Sequence, residues 1–339
     1  MRVERDIAGF ALPFTVGIMT ATIRILPVSY LNPFPSALMT AAVFIPVSFL
    51  IHPKHKRLSG NIISILATLS AFFCGLTTGL THNAMSICDG VSGFTSSTVT
   101  HMLAGMKAKL TAARTLLYET TRAVDLRTAY THLAEAPDAT AEVKNMAKYY
   151  NKLAAILTPM CKALATESAN QIAYDTIQIH GGTGFMRDFN AERFYRDALI
   201  TNIYEGTTQL QVVAAIGGVM QRDADKRLNE MFDLKFEGES ARLAEIVKGL
   251  YAKQLEAVKF VADRKDIAYH DLHARDLVEM ETYVFVGMLM LRDAQKCADR
   301  FVLAERYILD SQAEFAKRYA KVMSGDQTVI ERHRDVIDY

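Results

Sequence analysis

The chain has 339 residues, enough for two domains of ordinary size, and its 38 basic and 37 acidic side chains nearly cancel. No segment combines a basic patch with interleaved aromatic residues, which argues against a nucleic acid as the partner. The four cysteines form no Cys-x-x-Cys pair and no cluster with histidine at metal-ligand spacing. We therefore expect no metal site, and we expect free thiols at Cys161 and Cys297.

Residues 1–90 contain three uncharged apolar runs, at residues 7–23, 36–51 and 62–80. Because a membrane-spanning helix needs about 20 mostly apolar residues, these runs predict two or three hydrophobic, transmembrane helices and a membrane location. A secretory signal is the alternative for the first run, since a basic start precedes it. A buried soluble core is the alternative for all three.

Basic residues indicate how these runs would be oriented. Arg2 and Arg5 precede the first run, and HPKHKR (52–57) separates the second from the third, so the positive-inside rule places both on the cytoplasmic side. With three spans, everything after residue 90 would then lie outside the cytoplasm. The succession of apolar runs around a proline-rich connection and a basic loop resembles the N-terminal spans of competence-type DNA-uptake membrane proteins.

From residue 97 onward the pattern changes to that of amphipathic helices. Apolar residues such as Met106 and Leu110 recur at three- and four-residue steps, with lysine and arginine on the other face. The turn cluster EAPDAT (135–140) ends this first helix, and a second long helix is predicted from about residue 141 to 178. The expected buried face of the second helix consists of Leu153, Ile156, Leu157, Met160 and Leu164.

The rest of the chain continues the helical pattern. A third helix is expected to start near Thr207, and a polar joint at residues 221–240 leads to a further helical block. No stretch beyond residue 97 alternates apolar and polar residues with a period of two for long. The sequence therefore predicts an all-α fold, with a helical bundle at residues 97–220 and a helical extension at residues 221–339.

Two short motifs interrupt the helices. QIHGGTGF (178–185) carries three glycines in four positions, which either bring the backbone close to a ligand or simply turn the chain between helices. NIYEGTTQLQ (202–211) places Glu205 before Gly206 and Thr207. By itself this second motif also fits a solvated glutamate followed by an N-cap threonine at a helix start.

Together with an Arg-Asp-Ala step at residues 196–198, the two motifs resemble the C-terminal helical domain of the acyl-CoA dehydrogenase family, and the resemblance covers residues 97–220. Residues 221–339 resemble the extra helical segment of longer members. The first helix of that domain, and the N-terminal helical domain and β-barrel of the family, have no counterpart in this sequence. The resemblance thus implies a partial domain in a chain that is incomplete or fused and is inactive alone.

For Glu205 the resemblance implies the role of catalytic base, which removes the α-proton of an acyl-CoA thioester while a hydride leaves the β-carbon for FAD. A carboxylate shielded from water is better matched to such a weak carbon acid than an exposed one. The resemblance places Tyr204 and Gly206 beside the substrate. It also implies that the backbone N–H of Glu205 polarises the thioester carbonyl.

The resemblance also implies the cofactor contacts. Thr207 and Gln209 correspond to contacts with the diphosphate and ribose of FAD at a helix start, where backbone donors favour anions. Gln178, Gly181 and Gly182 correspond to a loop that reaches the adenine half of an FAD held mainly by the neighbouring subunit. A complete enzyme of this kind would be a homo-oligomer that passes electrons to electron-transfer flavoprotein.

Three interpretations of the whole chain stay open. It is a fusion or truncation product that is inactive alone, a membrane-anchored dehydrogenase that needs a partner chain, or a non-catalytic membrane protein in which the helical bundle serves only for assembly. Bound flavin in the purified protein would single out the second interpretation. If residues 1–90 do not span a membrane, the dehydrogenase-like part is expected in the cytoplasm.

Overall fold

The computed structural model describes residues 97–337. These residues form α-helices, 3-10 turns and connecting loops with no β-strand among them, so the predicted all-α fold is confirmed for this part of the chain. Cys161 and Cys297 are free thiols, as expected. The predicted transmembrane runs and the segment assigned to residues 1–90 lie outside the described residues. Between residues 97 and 337, no helix is both long enough and apolar enough to cross a membrane.

The helices follow one another with short connections. In chain order they are α1 (Ser97–Ala134), α2 (Ala141–His180), α3 (Gly182–Phe185), α4 (Ala191–Leu199), α5 (Thr208–Gln221), α6 (Asp225–Phe232), α7 (Gly238–Arg264), α8 (Ile267–Lys296), α9 (Phe301–Met323), α10 (Thr328–Glu331) and α11 (His333–Ile337). Short 3-10 turns lie at Ile200–Asn202 and Ala298–Arg300. The structure confirms the first two predicted helices and the helix expected near Thr207. By contrast, α6 forms within the stretch expected to be a polar joint.

The helices α1 and α2 pack against each other through the faces that the sequence periodicity predicts. Met106 of α1 is buried in the core, as are Leu153 and Leu157 of α2. Thr140 begins α2 as its N-cap, because its Oγ1 accepts a hydrogen bond from the Val143 N–H at 3.3 Å. A cap of this kind stabilises a helix by about 1 kcal/mol.

The extension helix α8 lies at the centre of the bundle. It contacts α1, α5, α6, α7 and α9, and every residue at positions 284–291 is buried. A helix that is apolar on every face is stable in water only inside a core. One hydrophobic cluster consequently joins Ala108 and Leu157 of the predicted bundle to Phe285 and Val322 of the predicted extension.

A buried carboxylate ties the two sequence segments together. Glu119 of α1 is only 2% exposed. Three guanidinium groups lie 2.6 to 2.8 Å from its oxygens, those of Arg122 in α1, Arg227 in α6 and Arg292 in α8. Burial by itself would raise the pKa of Glu119, but hydrogen bonds from the three guanidinium groups outweigh it and lower the pKa to about 2. The carboxylate is therefore charged at neutral pH, and its attraction to the three cations offsets the loss of water.

Glu119→Ala is expected to lower the free energy of unfolding by about 3 kcal/mol, because two largely buried guanidinium groups lose their shared partner and keep one carboxylate each, Glu230 and Asp293. Urea denaturation followed by circular dichroism measures this loss. The matched control is Glu245→Ala, which removes an exposed glutamate paired with Lys248 and should change the unfolding free energy by less than about 0.5 kcal/mol. Equal effects of the two substitutions would contradict the role of the Glu119 cluster.

A second buried carboxyl group, in α8, has the opposite electrostatic environment. Glu281 is 5% exposed, and burial, reinforced by the charge of Asp225, raises its pKa to about 8. The charge of Arg222 and a hydrogen bond from Gln254 oppose this shift without cancelling it. Gln254 Oε1 has no hydrogen-bond partner within residues 97–337, and a protonated Glu281 has an O–H group to donate. Glu281 is therefore mainly neutral in the folded protein at pH 7.

Glu281 is expected to make the stability of the fold depend on pH. Its folded pKa is higher than the ordinary 4.5, so the stability linked to it is fully present below about pH 4.5 and is lost as the pH rises towards 8. Between about pH 5 and pH 8 this loss amounts to about 3 kcal/mol. Glu281→Gln cannot ionise and is expected to remove most of this fall in urea denaturation. A variant whose unfolding free energy falls as steeply as that of the wild type would refute the assignment.

Candidate active site

The glycine motif forms the end of α2 and the start of a short helix. α2 ends at Gly181, whose φ of 62° favours glycine, and the Gly181 N–H donates to the Gln178 carbonyl at 3.2 Å. Gln178, Gly181 and Gly182 are all exposed. A Cβ atom placed on either glycine would meet nothing within 4 Å. The two glycines therefore leave a patch of bare backbone open at the surface.

The third glycine of the motif has a packing role instead. Gly184 is buried, and a Cβ there would lie 2.6 Å from the His180 Cβ and 2.9 Å from the Ile177 carbonyl oxygen. His180 turns back onto α2, with its Nδ1 2.7 Å from the Thr176 carbonyl oxygen and its ring edge against Phe189. These contacts hold the loop in place and give His180 a structural role.

The Arg-Asp-Ala step lies in α4 and fastens this helix to α2. Arg193 and Arg196 each approach Asp197 at 3.8 Å. Ala198 is buried, and its carbonyl accepts a hydrogen bond from Asn170 Nδ2 of α2 at 3.0 Å. α4 thereby leads the chain along α2 into the second motif.

The second motif forms a strained turn before α5. Glu205 has a φ of 53° and Gly206 a φ of 99°, so two successive residues have positive φ angles. For a non-glycine residue such as Glu205 this conformation costs about 1–2 kcal/mol, and it persists only where neighbouring contacts enforce it. Thr207 then caps α5, because its Oγ1 accepts a hydrogen bond from the Leu210 N–H at 3.4 Å. The predicted helix start at Thr207 is thus confirmed.

Side chains of α2 and α5 hold this turn from the inside. Lys162 of α2 is 8% exposed, and its Nζ donates to the Gly206 carbonyl at 2.7 Å. Gln211 Nε2 donates to the carbonyls of Glu205 and Gly206 at 3.2 and 3.3 Å. The sequence prediction gave neither Lys162 nor Gln211 a role. The signal that identifies Lys162 is a single lysine within the apolar face of α2.

The other predicted site residues face solvent or are half-buried. Glu205, Thr207 and Gln209 are exposed, while Tyr204 is half-buried with its ring centroid 5.8 Å from Lys162 Nζ. The described residues therefore do not provide the shielding expected for Glu205. Exposed apolar side chains surround the two motifs, namely Phe185, Met186, Phe189, Ile203, Leu210 and Val213. An apolar surface of this kind is suited to contact with other protein.

The two motifs lie at different heights along α2. Lys162, beneath the Glu205 turn, and Gln178, at the glycine loop, are about 24 Å apart along the helix axis at 1.5 Å per residue. The start of α5 presents backbone N–H groups that favour an anion. The arrangement thus combines a carboxylate with a helix start whose N–H groups favour an anion, and a separate glycine loop whose backbone is open to close approach.

Two family models match consecutive parts of this chain. Residues 92–216 match the model for acyl-CoA dehydrogenase, C-terminal domain, and residues 224–327 match the model for acyl-CoA dehydrogenase C terminal. The two matches together extend over more than half of the chain. Both motifs lie within the first match.

Known proteins are similar over part of the chain. 3-methylmercaptopropionyl-CoA dehydrogenase of Ruegeria pomeroyi is 33% identical over 170 residues, 50% of this chain and 26% of that protein. The caffeyl-CoA reductase-Etf complex subunit CarC of Acetobacterium woodii is 32% identical over 124 residues, 37% of this chain and 26% of that protein. An acyl-CoA dehydrogenase from Bacillus anthracis, solved in complex with FAD, has a similar fold, with a TM-score of 0.60 at 18% identity over 77% of this chain and 48% of that chain. The chain thus spans about a quarter of the length of these two curated relatives and about half of the solved chain.

Gly206→Ala is expected to lower the free energy of unfolding by about 1–2 kcal/mol, because alanine disfavours a φ of 99° and its Cβ would lie 2.9 Å from Gln211 Nε2. Gly217→Ala in α5 is the matched control, since its Cβ would meet nothing within 4 Å. Alanine is the better helix former by about 1 kcal/mol, so this control should stabilise the protein. Urea denaturation distinguishes the two variants, and stabilisation by both would contradict the described turn.

Proposed function

The chain belongs to the acyl-CoA dehydrogenase family, and from this premise we propose that it is the base-bearing part of an FAD-dependent enzyme that acts on the α- and β-carbons of an acyl-CoA thioester. The observation that carries the proposal is the position of Glu205 on a left-handed turn just before the N-cap of α5. Arg222 and Lys265 have this conformation where they end helices, whereas Glu205 has it before a helix start, where contacts from Lys162 and Gln211 hold it. The turn fixes the backbone from which the Glu205 carboxylate projects, beside a helix start whose N–H groups favour an anion.

In the proposed reaction, the Glu205 carboxylate takes up the α-proton of the thioester and becomes a carboxylic acid. FAD, when bound, supplies the acceptor for the hydride that leaves the β-carbon, so the acyl group gains a double bond. The backbone N–H of Glu205 donates to the thioester carbonyl and stabilises its developing negative charge. Tyr204 and Gly206 flank the substrate beside this base.

The exposed residues of both motifs suit an FAD molecule. Thr207 and Gln209 lie at the start of α5, whose N–H groups favour an anion such as the FAD diphosphate, with the ribose beside it. Gly181 and Gly182 offer backbone without an obstructing Cβ, which close approach of a nucleotide requires. We assign these two glycines and Gln178 to the adenine half of an FAD held mainly by a neighbouring subunit. The distance of about 24 Å between the motifs is too long for the diphosphate and adenine of one FAD, so the two motifs are assigned to two FAD molecules of an oligomer.

The proposed base requires a cover that excludes water, and the exposed apolar side chains around both motifs support one formed by further protein surface. We propose that a homo-oligomer provides part of this cover. The similarity to CarC, a subunit of a complex with Etf, supports electron-transfer flavoprotein as the redox partner. Relatives are named as dehydrogenases and as reductases, so the proposal covers either direction of the reaction.

Flavin content tests the proposed function directly. The full chain, purified through a C-terminal tag from its own cells so that any partner stays bound, is expected to carry FAD that is visible in its absorbance spectrum. Addition of butyryl-CoA or octanoyl-CoA without oxygen is expected to bleach the flavin. A preparation that neither carries nor takes up FAD would overturn the proposal and leave either a product that is inactive alone or a bundle that serves only for assembly.

In the same preparation, Glu205→Gln is expected to retain FAD and acyl-CoA binding while flavin reduction slows by about 10²–10⁴-fold, the scale of positioned general-base catalysis. Rapid-mixing absorbance measures the rate. Glu192→Gln makes the same chemical change in α4 and is expected to react at the wild-type rate. Unchanged reduction by the Glu205 variant would show that another group is the base.

A further inference from the structure

One buried cation lies beneath the Glu205 turn. Lys162 belongs to the buried face of α2, beside Met160 and Cys161, and lysine is rarely buried this far unless it has partners. Its Nζ donates to the Gly206 carbonyl at 2.7 Å, a charge-assisted hydrogen bond between residues 44 positions apart. This lysine thus connects the core of α2 to the turn.

Two residues of the turn, Gly206 and Thr208, make contacts with side chains of α2. Besides the Gly206 carbonyl, the buried Thr208 hydroxyl donates to Glu167 Oε1 of α2 at 2.7 Å. Glu205 and Thr207, which carry the proposed chemical roles, are exposed. The contacts with α2 therefore fix the backbone from which Glu205 and Thr207 project towards solvent.

The lysine contact also sets the direction of a backbone donor. In a planar trans peptide the C=O and N–H groups point to opposite sides, and no cis peptide occurs among the described residues. Because the Gly206 C=O points to the buried ammonium group, the Thr207 N–H of the same peptide unit points to the exposed side of the turn. A half-turn rotation of this peptide would present a carbonyl oxygen there instead, and a carbonyl oxygen repels an anion.

We propose that Lys162 is a positioning residue that holds the Gly206–Thr207 peptide, so that the Thr207 N–H faces an anionic cofactor group and Glu205 projects from a fixed backbone. The cofactor part of this inference rests on the proposed function. A peptide whose carbonyl is bound by an ammonium group is polarised and becomes a better N–H donor. Burial lowers the pKa of Lys162, and the carboxylates of Glu205 and Glu167 oppose this shift without cancelling it.

Hydrogen exchange in the full chain tests the proposal, because it needs neither flavin nor substrate. Lys162→Met keeps a long unbranched side chain but removes the donor. It is expected to speed amide exchange in residues 203–211 by about tenfold. This segment includes the Tyr204 and Gln211 N–H groups, which are hydrogen-bonded in the intact turn. Mass spectrometry of proteolytic peptides measures the effect.

Further variants separate positioning from general stability. Lys152→Met removes an exposed α2 lysine that pairs with Asp223, and it should leave exchange in residues 203–211 unchanged. Lys162→Arg restores a cationic donor and is expected to recover most of the protection, which a purely space-filling role would not predict. If Lys162→Met does not fold, Lys162→Gln replaces it in the comparison with the wild type. Its donor is shorter and uncharged, so exchange in residues 203–211 is expected to speed up by less than tenfold.

Unchanged exchange in residues 203–211 of the Lys162→Met protein, or no recovery in Lys162→Arg, would overturn the proposal. The flavin measurements are independent of this result. If Lys162→Met speeds exchange as expected but the wild-type preparation binds no FAD, the positioning role stands and the proposed function fails. If FAD is reduced through Glu205 but Lys162→Met leaves exchange in the turn unchanged, the proposed function stands and the positioning role fails.

Discussion

The described bundle depends on one buried charge cluster, in which Glu119 faces three guanidinium groups. Because these groups come from α1, α6 and α8, the cluster fixes the register between two segments that match separate family models. A carboxylate left unpaired at that depth would cost several kcal/mol, so the register in which all three arginines reach it is strongly preferred. That register places the apolar middle of α8 in the core, and α8 in turn supports α5, which begins at the Glu205 turn.

Helical periodicity predicted α1, α2 and α5 because each has a long apolar stripe, and Thr140 and Thr207 are recognisable N-caps for two of them. It did not predict α6, since this helix of 8 residues has only two buried side chains, Leu228 and Met231, within a charged stretch. α6 is stabilised where the core accepts those two side chains and Glu119 accepts an arginine from the same helix. Tertiary contacts thus determine that α6 forms, because its own apolar pattern is too short to predict a helix.

The residue types of the candidate site were predictable from the sequence, but the contacts that hold the Glu205 turn were not. Motif spacing placed Glu205, Gly206 and Thr207 together at a helix start, yet no spacing rule connects Lys162 to a carbonyl 44 positions later. The resemblance implied shielding for Glu205, whereas the described part of the chain leaves it exposed. The burial of a surface turn is decided by what packs on it, and that information is not contained in the residues of the turn.

The central position of α8 has a further consequence for how the bundle unfolds. A core shared by both matched segments has no internal surface along which one segment could separate from the other. Cleavage between residues 220 and 221 would uncover the faces of α1 and α5 that α8 contacts, and would expose to water the part of α8 that packs on them. The two segments therefore form one cooperative unit. A ligand bound at the start of α5 consequently protects even the distant α9 helix against unfolding.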